Sequence, residues 1–162
     1  MNVRTWKSVF TAIFSLLVLA YAIQNVANLS GGMYGSFEYV LSQADHVAYP
    51  NSAIPAITSP ALIWAALITV LLLEFAAAGL TGLGALQMWQ QRNSTGEAFS
   101  AAKKHALNGL GIAVIVWLLL FGTFGAAVYQ MWQTAVGAGS QNGAFQFSVY
   151  ALLLFGLLCL ED

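Results

Sequence analysis

All five basic residues of this 162-residue chain stand beside the ends of just two of its apolar runs. Arg4 and Lys7 precede or open the first run, and Arg92, Lys103 and Lys104 fall between the second and the third. The other two connecting segments carry no Lys or Arg. Positively charged loops are retained in the cytoplasm. The simplest arrangement with this pattern is therefore an all-α membrane protein, a four-helix antiparallel transmembrane bundle with both termini on the cytoplasmic side.

Composition agrees with that constraint. Hydrophobic residues make up 59% of the chain and charged residues 7%, against about 25% charged in a soluble domain. A surface so poor in charge must face lipid or protein. Five basic residues divided between two segments form no phosphate-tracking stripe, so no nucleic acid partner is expected. The single cysteine, Cys159, cannot close an internal disulfide. His46 and His105 fall on opposite sides of the expected membrane and cannot share a metal ion. No metal and no cofactor is expected.

The spans read as about residues 6–27, 61–90, 106–132 and 145–160 of one domain covering 1–162. Arg4 and Lys7 followed by an apolar run look like a secretory leader, with Ala20-Tyr21-Ala22 as a nominal cleavage site. The run reaches to about Leu29, longer than a leader's usual core, so an uncleaved first span is expected. Ser30-Gly31-Gly32 stops that span. The following connection of about 30 residues is too long for a turn. Tyr34–Gln43 reads as a short amphipathic helix at the interface, with Phe37, Val40 and Leu41 turned inward. The second span, at ~1.5 Å per residue, is roughly 45 Å long and exceeds a ~30 Å hydrocarbon core. Thr95–Lys104 reads as a short cytoplasmic helix with Glu97, Lys103 and Lys104 on its wet face. Gly137–Gly143 reads as an uncharged outer loop. The fourth span is short, and Glu161 and Asp162 follow it.

Lipid tails are as apolar as Leu, so close packing at small residues must hold such helices together. Ala78 and Gly82 form a small-xxx-small pair on the second span. Gly109 with Ala113, and Gly122 with Ala126, repeat the spacing on the third. The second and third spans are expected to form the close central pair.

Glu74 is the one acidic side chain inside a span. An ionised carboxylate there costs at least ~2.5 kcal/mol, so a neutral, proton-donating Glu is expected. Counting depth along the other spans places Ser15 and Trp117 at its level. Either Glu74 is a hydrogen-bonding anchor between helices, or it is a proton or cation site. A second polar cluster, at the outer edge, comprises Gln24, Asn25 and Asn28 with Gln130 and Gln133. These side chains would meet interfacial water or dock the segment Phe37–Asp45 around a small pocket. Asp45 and His46, adjacent in sequence, are too few for a metal site. No catalytic set is visible: no nucleophile has a nearby base, and Gly79, Gly82 and Gly84 lie inside an apolar helix with no strand before them.

Phe37-x-Tyr39-Val40-Leu41-Ser42, Pro55-Ala56-Ile57, Glu74 followed by Gly79 and Gly84-Ala85, Ala101-Ala102-Lys103 and Met131-Trp132-Gln133 occur in order along the chain. Together they resemble a bacterial family of predicted small integral membrane proteins, domain of unknown function 2165. The resemblance implies a four-span protein of the bacterial inner (plasma) membrane and carries no activity or cofactor with it. Gln43 and Ala44 depart from the family's pattern, as does Gly125–Tyr129, which lacks a carboxylate found there in other members. The function expected is non-enzymatic: a structural or accessory subunit whose partners are the lipid bilayer and other membrane subunits or itself. The alternative is a small transporter or channel component using Glu74.

Overall fold

The computed structural model of the chain describes residues 2–161; Met1 and Asp162 lie outside it. Six α-helices are named here in chain order: α1 (Val3–Ala27), α2 (Tyr34–Leu41), α3 (Pro60–Gln91), α4 (Gly96–Ala102), α5 (Lys104–Val114) and α6 (Ala135–Cys159). Four helical stretches are long and apolar enough to cross a membrane: α1, α3, the stretch Gly96–Val128 and α6. Within the third, α5 continues as a π-helical segment, Ile115–Val128. Hydrogen bonds from Thr123 Oγ1 to the Leu118 carbonyl and from Tyr129 N to the Phe124 carbonyl follow the five-residue step of that wider coil.

Local sequence sets the boundaries. The Asn2 carboxamide caps α1 by accepting from Thr5 N at 2.9 Å. Pro60 opens α3, where a missing N–H costs nothing. Thr95 caps α4, with Glu97 in its first turn, where the helix dipole favours an acid. Gln130, in the left-handed conformation at φ 52°, breaks the third span. Trp132 therefore lies in a separate turn, Met131–Gln133, and the span ends at Val128 rather than at Trp132.

The stretch Gly137–Gly143, expected to be a loop, is helix. Thr134 caps α6 by accepting from Gly137 N at 3.1 Å, so the fourth span starts at Ala135 rather than at Phe145. Glycines are tolerated in membrane helices because no water competes for the backbone. Gly137 also has a specific task. A Cβ there would run into the Met131 carbonyl, and its absence lets the chain reverse tightly into α6.

α3 is the hub of the bundle, packed between α1 and α5. It approaches α5 nearly backbone to backbone: a Cβ on Gly84 would overlap the Ala106 backbone, and one on Gly109 would lie 2.7 Å from Thr81 N and 2.9 Å from the Ala77 carbonyl. The expected close pairing of second and third spans is present and the expected Gly109 makes it, but its counterpart on α3 is Gly84 with Ala77 and Thr81 rather than Ala78 and Gly82. Ala78 and Gly82 face α1 instead: Ser15 Oγ donates to the Ala78 carbonyl at 2.8 Å and would meet a Cβ on Gly82. A Cβ on Gly122 would meet only atoms of its own helical segment, so its missing side chain makes no room for a neighbouring helix. Ala113 and Ala126 are buried.

The start of α1, the residues just past α6 and the α3–α4 connection gather at one end, termed the basic end. Arg4 donates to the Ser94 carbonyl at 2.7 Å and lies over the Phe99 ring. Lys7 is fully buried, and its ammonium donates to the carbonyls of Leu160 at 2.7 Å and Glu161 at 3.3 Å. Lys103 donates to Leu160 O at 3.4 Å and packs over Phe99. Lys103 is thus buried, 5% exposed, and not on the wet face expected of it. The Leu160 and Glu161 carbonyls lie just past the end of α6, beside the negative end of its dipole, where cations are favoured.

Gly84→Ala is expected to destabilise the protein by ~1–3 kcal/mol through overpacking, because backbone atoms of Ala106 cannot swing aside. Gly79→Ala, at a position where a Cβ meets open space, should change stability by no more than ~0.5 kcal/mol or gain slightly from helix propensity. Thermal unfolding in detergent compares them, and equal losses would contradict the close approach.

Candidate functional site between the α1 end and the far loop

α3 has 32 residues and α1 has 25, so α3 overshoots α1 at the end opposite the basic residues, the far end. The antiparallel register is pinned at the basic end by Arg4 on Ser94. The same register brings Asn25, in the last turn of α1, against Glu74. Asn25 Nδ2 donates to Glu74 Oε2 at 2.9 Å. Glu74 is 3% exposed. A carboxyl expected at mid-membrane and an amide expected in a separate edge cluster therefore form one site.

The other residues expected beside Glu74 lie elsewhere. Ser15 is one to two helical turns nearer the basic end, spending its proton on the Ala78 carbonyl. Trp117 stacks on Phe147, ring centroids 4.4 Å apart, and meets Phe14 edge-on at 6.5 Å. The spans differ in length and start at different levels, so equal residue counts along them do not mark equal depth. The remaining edge residues also separate. Gln24 and Asn28 are exposed on α1, Asn28 donating to the Gln24 carbonyl. Gln133 Nε2 donates to Gln130 Oε1 at 2.7 Å. Gln133 also clamps the long loop at Tyr49, accepting from its N–H at 2.8 Å and donating to its carbonyl at 3.2 Å. The glutamines dock this later part of the loop rather than Phe37–Asp45.

The segment Phe37–Asp45 is held by its own contacts. Tyr39 donates its hydroxyl to Asp45 Oδ2 at 2.6 Å, and Ile57 N donates to the Leu41 carbonyl. Gln43 and Asp45 both take left-handed backbone, at φ 56° and 57°, which lets the chain fold under α2. The Tyr39 phenol is pushed above its ordinary value of 10.0, first by its hydrogen bond to Asp45, then by burial and the carboxylate's charge. Phe37 is turned inward as expected, edge-on to Phe121 at 6.4 Å.

The pocket expected at this edge is present, but none of Gln24, Asn25, Asn28, Gln130 and Gln133 lines it. Phe37, Val40 and Leu41 of α2, expected to turn inward, roof this space, and its other walls come mainly from α3, the π segment and the first turns of α6, including Val70, Phe121 and Phe124. Val70 stands one turn above Glu74 on the same helix face, buried like it. Tyr129, at the rim, was missed; its place one residue past an apolar run is the aromatic-belt signal that could have found it. Burial pushes its phenol up, keeping it a hydroxyl donor.

A family model described as predicted small integral membrane protein, domain of unknown function 2165, matches residues 3–161. No curated protein and no solved structure gives a match.

Two outcomes are expected. Asn25→Ala, which leaves the buried carboxyl unpartnered, should cost ~1–3 kcal/mol, read from thermal unfolding; an unchanged midpoint would sever the proposed α1–α3 link. Asp45→Asn should bring the Tyr39 titration, followed by ultraviolet absorbance, back toward 10.0. Because folding raises this phenol's pKa, the stabilisation it gives is complete below pH 10 and is lost as pH rises through the folded-state value.

Proposed function

We propose that this chain, which belongs to the family of predicted small integral membrane proteins just described, is a non-enzymatic structural or accessory subunit of an assembly in the bacterial inner membrane. Both termini and the Arg92–Lys104 connection face the cytoplasm in this proposal, since cationic segments are retained there.

One observation carries it: polar side chains buried along the membrane-spanning helices are spent on neighbours inside the fold. Glu74 is held by Asn25, and Ser15 by the Ala78 carbonyl. Thr81 and Ser148 donate to carbonyls four residues back in their own helices, Ala77 and Ala144. Next to Glu74 toward the basic end Val18, Ala22, Ala77 and Ala78 are buried, and the buried hydroxyls further along, Ser15, Thr81, Thr11 and Ser8, each donate to a backbone carbonyl. A proton relay needs a succession of exchangeable groups; hydroxyls committed to carbonyls, with apolar side chains between them and Glu74, favour an anchoring role for Glu74.

The surface for a partner lies between α1 and α6. They meet through Tyr21 and Phe147, ring centroids 5.0 Å apart, and through Lys7 on the end of α6. Between these contacts they part around an apolar groove of about 390 Å³ lined by residues such as Ile13, Leu17, Leu153 and Leu157. Ile13 is 57% and Leu153 69% exposed. Ridges of a further transmembrane helix fit such a groove.

Gentle extraction from native membranes, with cysteine cross-linking from Ile13→Cys or Leu153→Cys in a Cys159→Ser background, should capture a second membrane polypeptide or a second copy. Strictly monomeric migration with no cross-linked species would refute the subunit role. In the same background, Ser94→Cys should resist a membrane-impermeant thiol reagent added to intact cells and Asn51→Cys should react; the reverse pattern would invert the topology. Glu74→Gln keeps the acceptor for Asn25 and removes titration. It should preserve stability and assembly, whereas loss of assembly with stability intact would point instead to a titrating carboxyl and the transport alternative.

A further inference from the structure

The intimate α3–α5 contact is confined to the half of the bundle nearer the basic end, at Gly84 and Gly109. Beyond it, α3 and the π segment diverge. The wedge between them is roofed by α2 and backed by the first turns of α6, and it encloses about 360 Å³. Phe37, Ala65, Val70, Phe121, Phe124 and Tyr129 are among its walls, and no Asp, Glu, His, Lys or Arg lines it. Except for α2 and the rim at Tyr129 and Met131, the walls belong to membrane-spanning helices. Ala65 is exposed and Phe124 is 48% exposed, which marks a side opening toward the bilayer.

Water does not suit this space. Apolar cavities stay dry, and one of ~150 Å³ already accommodates benzene. The wall hydroxyls are committed as donors: Ser36 to Gly32 O, Thr69 to Ala65 O and Ser140 to Val136 O. The exception is Tyr129, whose hydroxyl makes no hydrogen bond among the described residues and stands one residue past the end of the third span. That is the level at which the ester groups of glycerolipids meet the hydrocarbon. A flat ring would need parallel aromatic walls, but Phe37 and Phe121 stand at 87° to each other. A flexible chain fits the angular space.

We propose that the cavity is a lipid site: one acyl chain of a membrane glycerolipid enters sideways between Ala65 and Phe124 and lies over Val70, while the Tyr129 hydroxyl donates to its ester carbonyl. The charge-free lining leaves the headgroup outside, so the site selects for chain and ester rather than for headgroup charge.

The test uses the full chain in phosphatidylethanolamine–phosphatidylglycerol vesicles containing a trace of phosphatidylglycerol with a diazirine in mid-chain. After irradiation, label should concentrate in residues 65–70 and 120–125. Ala65→Phe, an exposed position that the fold should tolerate, is expected to cut that labelling about tenfold, equivalent to ~1.4 kcal/mol. Tyr129→Phe should reduce it less, with the labelled residues unchanged. Leu72→Phe, on the same helix and 65% exposed, should leave it as it was. Label spread evenly over the lipid-facing surface, labelling unaffected by Ala65→Phe in a protein that unfolds at the normal temperature, or displacement by a short-chain quinone would each overturn the proposal.

Discussion

The near backbone-to-backbone approach of α3 and α5 organises this bundle. In lipid there is no hydrophobic drive between helices, and association depends on how closely their surfaces can meet. Gly84 and Gly109 supply that closeness by lacking side chains where Ala106, Ala77 and Thr81 need the room. With α5 held on one side, α3 presents Ala78 and Gly82 to α1 on the other. One helix thus serves two neighbours through two differently placed sets of small residues. Confining the contact to the basic half also lets the far half open, so the same feature that closes the bundle creates its cavity.

The charged residues act in two ways at once. Arg4, Lys7 and Lys103 give the chain its cationic segments, and they also bind carbonyls of Ser94, Leu160 and Glu161. Glu74 and Asn25 link α1 to α3 near the opposite end of α1. These contacts sit toward the two ends of α1, and between them lie the Ser15–Ala78 hydrogen bond and the buried Phe14, Val18 and Ala22. Polar groups fix register, and apolar and small residues fill the length.

Much of this was legible in the sequence. Four spans, the helical Tyr34–Leu41 segment, the inward Phe37 and the cost attached to Glu74 follow from apolar run length, periodicity and the energetics of charge in hydrocarbon. What was not legible depended on relative height and rotation. Glu74 and Asn25 looked like separate layers because nothing in either helix states how far α3 overshoots α1. Gly137–Gly143 looked like a loop because glycine breaks helices in water, a rule that weakens in lipid. The small-residue pairs were recognisable as packing positions, but spacing alone does not say which neighbour a face meets. Gly122 illustrates the limit: in a π-helical stretch the face it would occupy in an α-helix is rotated away.

The lysine clamp on the end of α6 bears on biogenesis. α6 follows the other three spans in the chain, and the residues just past it provide carbonyls that receive ammoniums from α1 and from the start of the Gly96–Val128 stretch. Lys7 and its Leu160 partner are 153 positions apart, so this contact forms only after all four spans have been made. Docking of α6 thereby ties the earliest helix to the latest one described, and the clamp reports that the whole bundle has assembled.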